Sequence, residues 1–229
     1  MRNASRTGKA FNYQTILSTL QESYGPANWR IGYDPISELV FTILTQNTSD
    51  KNAEKAFNKL TSHFETMTQL LEADITQIQP LIAESGLSNI KAPRIKNALK
   101  TIMERRGALD LWFLKSMSPQ QAKEWLISID GVGPKTAAVV LCLSLDIPAL
   151  PVDTHVLRVT KRLGLIESKV SAEKAHVHLE SLVKPKDMLE FHMQIIRHGR
   201  TICRSRSPHC YECPLVQNCR YANSLHPTN

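Results

Sequence analysis

Two groups of residues have types and spacings that suit chemistry. The first is a lysine and a carboxylate eighteen residues apart, Lys135 in GVGPK and Asp153 in PVDTH. An apolar run ends at Asp130, the tight Gly131-Val132-Gly133 turn follows, and Pro134 suits the first position of a new helix, where its missing N–H does no harm. The two glycines let the backbone approach a partner without Cβ atoms in the way, and the free N–H groups opening the second helix point toward an anion such as a phosphate. Lys135 falls in the first turn of that helix, where the positive end of the dipole disfavours an ammonium and favours a nucleophilic amine. Asp153 suits a helix N-cap, after a loop long enough to bring it back toward the hairpin. The second group is Cys203, Cys210, Cys213 and Cys219, spaced C-x6-C-x2-C-x5-C within seventeen residues. The chain shows no export signal, so disulfides are disfavoured, and on geometry alone four thiolates fit either a structural zinc or a [4Fe-4S] cluster.

The elements that must position these groups read as helices. Residues 12 to 24 place Ile16, Leu17, Leu20 and Tyr24 at helical spacing before Gly25-Pro26. A largely buried helix starts near Pro35 and runs through ISELVFTILTQ, and the polar break TQNTSD lets Ser49 or Asp50 cap the next one, with Ala53, Ala56, Phe57 and Leu60 inward. One helical pattern covers 68 to 84 and stops at Gly86. A helix from Pro93 carries Ile95, Leu99 and Ile102 inward, and two helical stretches over 109 to 127 put Trp112, Phe113, Trp125 and Leu126 in the core. After the hairpin, TAAVVLCLSL is apolar all round, as a helix threaded through a core must be, and its Cys142 acts as a small hydrophobe. Helical patterns follow Asp153, cover 171 to 183, and run through DMLEFHMQIIRHGR into the cysteines. No segment alternates with period two, so the fold class is all-α.

With 229 residues the chain can bury a core without staples, and 42% apolar against 21% charged residues excludes a disordered protein. A net charge of +7 and a pI near 9.2 favour a polyanionic partner. No apolar run reaches membrane-spanning length, and MRNASRTGKAFN lacks the apolar stretch of a signal peptide and reads as a short basic tail. The expectation is a cytoplasmic protein, nucleoid-associated if prokaryotic.

GVGPKTAAVV followed by VDTHVLRV, together with HGRTIC, CPLVQNC and the four-cysteine spacing, resembles the endonuclease III family of helix-hairpin-helix DNA glycosylases over residues 34 to 220. The resemblance implies two helical lobes with a DNA-binding cleft between them. Residues 34-148 would form a six-helix barrel-like lobe with the hairpin, and 1-33 plus 149-229 the lobe with the cysteine loop. It implies a [4Fe-4S] cluster on Cys203, Cys210, Cys213 and Cys219, and a monomer acting on double-stranded DNA that contains damaged bases or abasic sites, with no membrane partner. The implied activity is base excision, of oxidised pyrimidines in particular. Lys135 would attack C1′ of an extruded nucleotide, Asp153 would stabilise the sugar's charge, and β-elimination would then cut the strand.

The implied DNA contacts are Gln46, Asn47, Leu87, Lys91, Gly131, Val132, Gly133, His155, Arg204 and Arg206. Asn47 stands where the family usually has Gln to fill the space left by the flipped nucleotide, and Pro134 departs from the commonest family pattern. From residues alone, Leu87 is either a helix C-cap contact or an exposed wedge for a base stack, and His155 either lines the site or satisfies a helix start. Two rival classes remain at this stage: a DNA-binding protein without catalysis, and a glycosylase for alkylated purines without lyase activity.

Overall fold

The computed structural model describes residues 12–27 and 32–225; the basic tail before them lies outside the described residues. Every regular element among them is helical. The chain divides into two compact units, Arg30–Pro151 and Met1–Trp29 with Val152–Asn229.

Helix α1 (Tyr13–Tyr24) opens where the Asn12 side chain accepts from the Thr15 N–H, buries Ile16 and Leu20, and ends at Gly25 with φ 72°. The Arg30–Pro151 unit starts with α2 (Pro35–Leu44), capped by Asp34 with Pro35 at its first position. Eight of its ten residues are buried, as its continuous apolar sequence requires. Helix α3 (Asp50–His63) is capped by Ser49 and turns Ala53, Ala56, Phe57 and Leu60 inward.

The single helix expected over 68 to 84 is instead two, α4 (Met67–Glu72) and α5 (Ile75–Leu81), followed by a 3-10 turn over Ala83–Ser85. Asp74 and Gln77 make a reciprocal cap, with the Asp74 N–H donating to Gln77 Oε1 at 2.9 Å, and that starts a fresh helix where the apolar pattern alone would have continued the old one.

Helix α6 (Ser88–Arg106) also begins before its expected start, so Pro93 lies inside it. The first turn closes through the Lys91 N–H on the Leu87 carbonyl at 2.9 Å, and Pro93 then costs the helix one internal donor. After a 3-10 stretch (Trp112–Ser116), α7 (Pro119–Ile127) starts at a capping box of Ser118 and Gln121. Leu126 is buried, and Phe113 packs edge-on to Trp125 at 5.1 Å, both half-buried. Trp112 is not core: it is 50% exposed, with the Lys115 ammonium 5.2 Å from its ring centre, an arrangement that keeps the indole at the water boundary.

Helix α8 (Pro134–Ser144) buries Thr136 through Cys142 without a break and packs against α2 and α7, so the hairpin's second helix is the centre of this unit. In the other unit, α9 (Thr154–Leu163) packs on α11 (Met188–Thr201), with α10 (Ala172–Leu182) between them in sequence and α12 (Arg220–Leu225) against α9. Helix α1 joins this unit by packing on α11, where Tyr13 meets Phe191 edge-on at 6.1 Å and Gln194 Nε2 donates to the Gly25 carbonyl at 2.8 Å. Among the described residues, no helix is long and apolar enough to cross a membrane.

Candidate active site and cysteine pocket

The hairpin turn is built almost wholly from backbone. Gly131 has φ 83°, a conformation that strains any residue with a Cβ, and a Cβ there would also come within 3.2 Å of Arg94 Cγ. The Val132 N–H closes the turn on the Ile129 carbonyl at 3.0 Å while its side chain is buried, so Val132 offers a partner main chain only. Gly133 has an ordinary φ of −88° and open space where a Cβ would stand. Its lack of a side chain serves no internal contact; it keeps the surface clear. Gly133 caps α8 without a side-chain bond to the helix N–H groups, which leaves that positive helix end available to an anion. Lys135 lies half-buried in the first turn behind it.

Two other turns of this unit carry expected DNA contacts. Asn47 is exposed with φ 53°, and Leu87 has φ 53° and is 48% exposed. Leu87 therefore makes no buried C-cap contact; an apolar side chain is held outward on a backbone that costs about 1–2 kcal/mol for a residue with a Cβ. Lys91 departs from expectation. It is 1% exposed, and its ammonium donates to the Leu44 carbonyl at 2.8 Å and the Ser85 carbonyl at 2.6 Å, so a direct phosphate contact is sterically closed to it. Burial pushes its pKa down to about 8. The exposed residue on this face of α6 is Arg94, one turn further on, whose guanidinium donates to Gln46 Oε1 at 3.0 Å while its stem lies beside Gly131. Arg94 has no flag in the sequence, because its partners come from segments far from it in the chain.

Asp153 belongs to the other unit. It caps α9, its Oδ1 accepting the Val156 N–H at 2.7 Å, and its carboxylate is half-buried. His155 is engaged locally: its Nδ1 is 3.1 Å from an Arg158 nitrogen, and its Cβ stands where a side chain on Gly199 would collide. Arg158 in turn donates to the Gly199 carbonyl at 2.9 Å and the Cys203 carbonyl at 3.2 Å, linking the Asp153 helix to the start of the cysteine loop.

The four cysteines line one pocket with Leu163, His198, Ile202, Pro208 and Val216. Burial raises the pKa of Cys213 to about 11, and the other three cysteines add to the rise. Four thiols lining one pocket are the donor set of a thiolate-ligated metal group. No group of three or more His, Cys, Asp or Glu side chains among the described residues is arranged to hold a metal ion.

Around the pocket, Arg162 donates to the Arg204 carbonyl at 2.6 Å and the Ser205 carbonyl at 3.1 Å and lies 3.4 Å from the Cys203 sulfur. These bonds shape the loop that carries Arg204 and Arg206, both exposed. His198, pushed down to about 4 by burial, is neutral, and its two nitrogens lie 2.7 Å from the Tyr24 hydroxyl and 3.7 Å from the Cys213 sulfur.

The chain is similar to known DNA-repair proteins over most of its length. Endonuclease III of Sulfolobus acidocaldarius is 36% identical over 185 residues, covering 80% of each chain, and endonuclease III of Thermotoga maritima is 35% identical over 189 residues, covering 82% of this chain and 84% of its own. A solved non-covalent endonuclease III–DNA complex superposes with a TM-score of 0.80 at 25% identity, covering 95% of this chain and 99% of that one. A trapped endonuclease III–DNA covalent intermediate gives 0.79, also at 25%, covering 93% and 98%. Residues 40–185, which hold the Lys135 hairpin and the Asp153 cap, match the HhH-GPD family, and the chain belongs to the HhH-GPD superfamily of base excision DNA repair proteins.

Proposed function

We propose that the protein is a DNA glycosylase with abasic-site lyase activity, removing oxidised pyrimidines from double-stranded DNA. The observation that carries this reading is Lys135, half-buried in the first turn of α8 directly behind an uncapped glycine turn. That turn receives a phosphate, and the lysine beside it acts on the adjoining sugar. The likeness to endonuclease III, including a trapped covalent DNA intermediate, supports a covalent route.

In this mechanism the Lys135 amine attacks C1′ of a flipped nucleotide as the bond from C1′ to the base breaks, and the base departs with the electron pair and takes up a proton. Asp153 stabilises positive charge on the sugar and assists proton transfer. The sugar ring opens to an imine on Lys135. Loss of a C2′ proton then expels the 3′ phosphate by β-elimination, and water releases the lysine. Asn47 and Leu87 probe the duplex with Gln46 beside Asn47 on the same turn, the Gly131–Gly133 backbone and the exposed Arg204 and Arg206 hold phosphates, and His155 positions the Asp153 helix through Arg158. Cys203, Cys210, Cys213 and Cys219 hold a [4Fe-4S] cluster. When bound it supplies structural ligation that closes the 203–219 loop. The protein works as a monomer wherever the cell keeps its DNA.

Borohydride trapping on abasic-site duplex tests this directly. A covalent adduct with the native protein that disappears in Lys135→Ala, with the fold retained, is the expected result; a well-folded protein that gives no adduct overturns the lyase. Mass spectrometry of bases released from oxidised and from alkylated DNA then decides the substrate, and release of alkylated purines alone would replace it.

A further inference from the structure

We propose that Lys91 is a positioning residue for DNA interrogation, holding the turns that carry Asn47 and Leu87 at a fixed separation so that both side chains enter the duplex together. The proposal rests on the DNA-repair reading above, but it starts from three observations in the Arg30–Pro151 unit. Asn47 and Leu87, exposed and forty residues apart in sequence, both adopt a left-handed backbone that their side chains disfavour. Each turn gives one main-chain carbonyl to the same buried ammonium: Leu44, three residues before Asn47, and Ser85, two before Leu87. The lysine that joins them is itself fixed, because its own N–H bonds the Leu87 carbonyl at 2.9 Å in the first turn of α6.

A charge this deep in the protein is costly, and an apolar side chain of the same length would fill the space. What the ammonium adds is direction, since it draws two carbonyls from separate segments toward one point. An apolar wedge must push bases apart against their stacking, so its support has to be stiffer than the stack, and the gap it opens must be met at once by a side chain at the right distance. Arg94, one turn along α6, braces the Asn47 turn a second time through Gln46 Oε1 at 3.0 Å. The first turns of α6 thus act as a common mount for both probes. A residue that served stability alone would not need to bridge the two segments whose tips are strained and exposed.

The test uses duplex DNA with a tetrahydrofuran abasic analogue opposite 2-aminopurine, which brightens when it is unstacked. Native protein is expected to raise the fluorescence on binding. Lys91→Met, which keeps the stem and removes the ammonium, is expected to bind with an affinity within about threefold by anisotropy yet to lose most of the fluorescence rise. In single-turnover excision it should be slowed about 10²-fold on a lesion in a fully paired duplex and less than about threefold on the same lesion in an unpaired bubble, where no stack has to be opened.

If Lys91→Met melts below the assay temperature, Lys91→Gln reads the same ratio, its shorter amide being unable to span both carbonyls. A folded variant with native fluorescence, or with equal losses on paired and unpaired lesions, overturns the proposal. Native protein that inserts its probes but excises no base would instead overturn the function proposed above and leave this inference standing.

Discussion

Lys91 and Arg162 solve the same problem in opposite surroundings. Each is a cation that holds loops by donating to main-chain carbonyls, Lys91 to Leu44 and Ser85, Arg162 to Arg204 and Ser205. Lys91 is 1% exposed and joins Leu44 to Ser85, far apart in the chain, whereas Arg162 binds neighbouring carbonyls of an exposed loop. In the dry site each bond is strong, and losing the donor strands buried carbonyls. In the wet site water replaces most of what is lost. The buried cation can therefore set geometry alone, while the half-buried one needs the cysteines to share the task.

The largest effect should come from the cysteines. Cys213→Ser is expected to open residues 203–219, seen as rapid tryptic cleavage after Arg204 and Arg206 and loss of amide protection there, with the amides of α8 still protected. A loop that stays closed in this variant would mean that Arg162 suffices, which would break the contrast.

Next in size, Lys91→Ala should lower global stability by about 3 kcal/mol in chemical denaturation, since two buried carbonyls lose their donor and a cavity opens. This contribution has a definite pH dependence. The folded pKa of Lys91, about 8, lies below the ordinary lysine value of 10.5, so between these values the unfolded chain binds more protons and stability rises with pH. The native protein should gain stability relative to Lys91→Met as pH climbs from 8 toward 10.5, and lose that gain as pH falls back through 8. A difference that is flat across the window would place the lysine in a wetter site than its burial shows.

Smallest, Arg162→Ala should cost about 1 kcal/mol or less of global stability and speed exchange only near Arg204 and Ser205. A global loss as large as that of Lys91→Ala would erase the distinction between the two sites.

Much of this was legible in the sequence because it is local. Caps at Ser49 and Asp153, the proline opening α8 and the apolar run of that helix announce their elements through neighbouring residues, and the hairpin turn needs only Gly131 to take its shape. Where two local signals competed, reading by periodicity failed. The Asp74 and Gln77 box split one apolar pattern into α4 and α5, and α6 began ahead of Pro93 because its first turn closes on Leu87. Trp112 shows the same limit from another side, since hydrophobicity does not say which face of a short 3-10 turn meets water.

The sequence by itself determined the helical class, the lysine in its helix's first turn, the carboxylate at its cap, and the four thiols at their spacing, since each rests on residues a turn or two apart. Only the tertiary structure decided that Lys91 is an internal tie and not a phosphate contact, that Arg94 reaches both Gln46 and Gly131, and that Arg162 shapes the cysteine loop. Periodicity marks a lysine as polar and assigns it to solvent. Whether its ammonium meets water or carbonyls depends on where distant segments fold, and no local pattern carries that information.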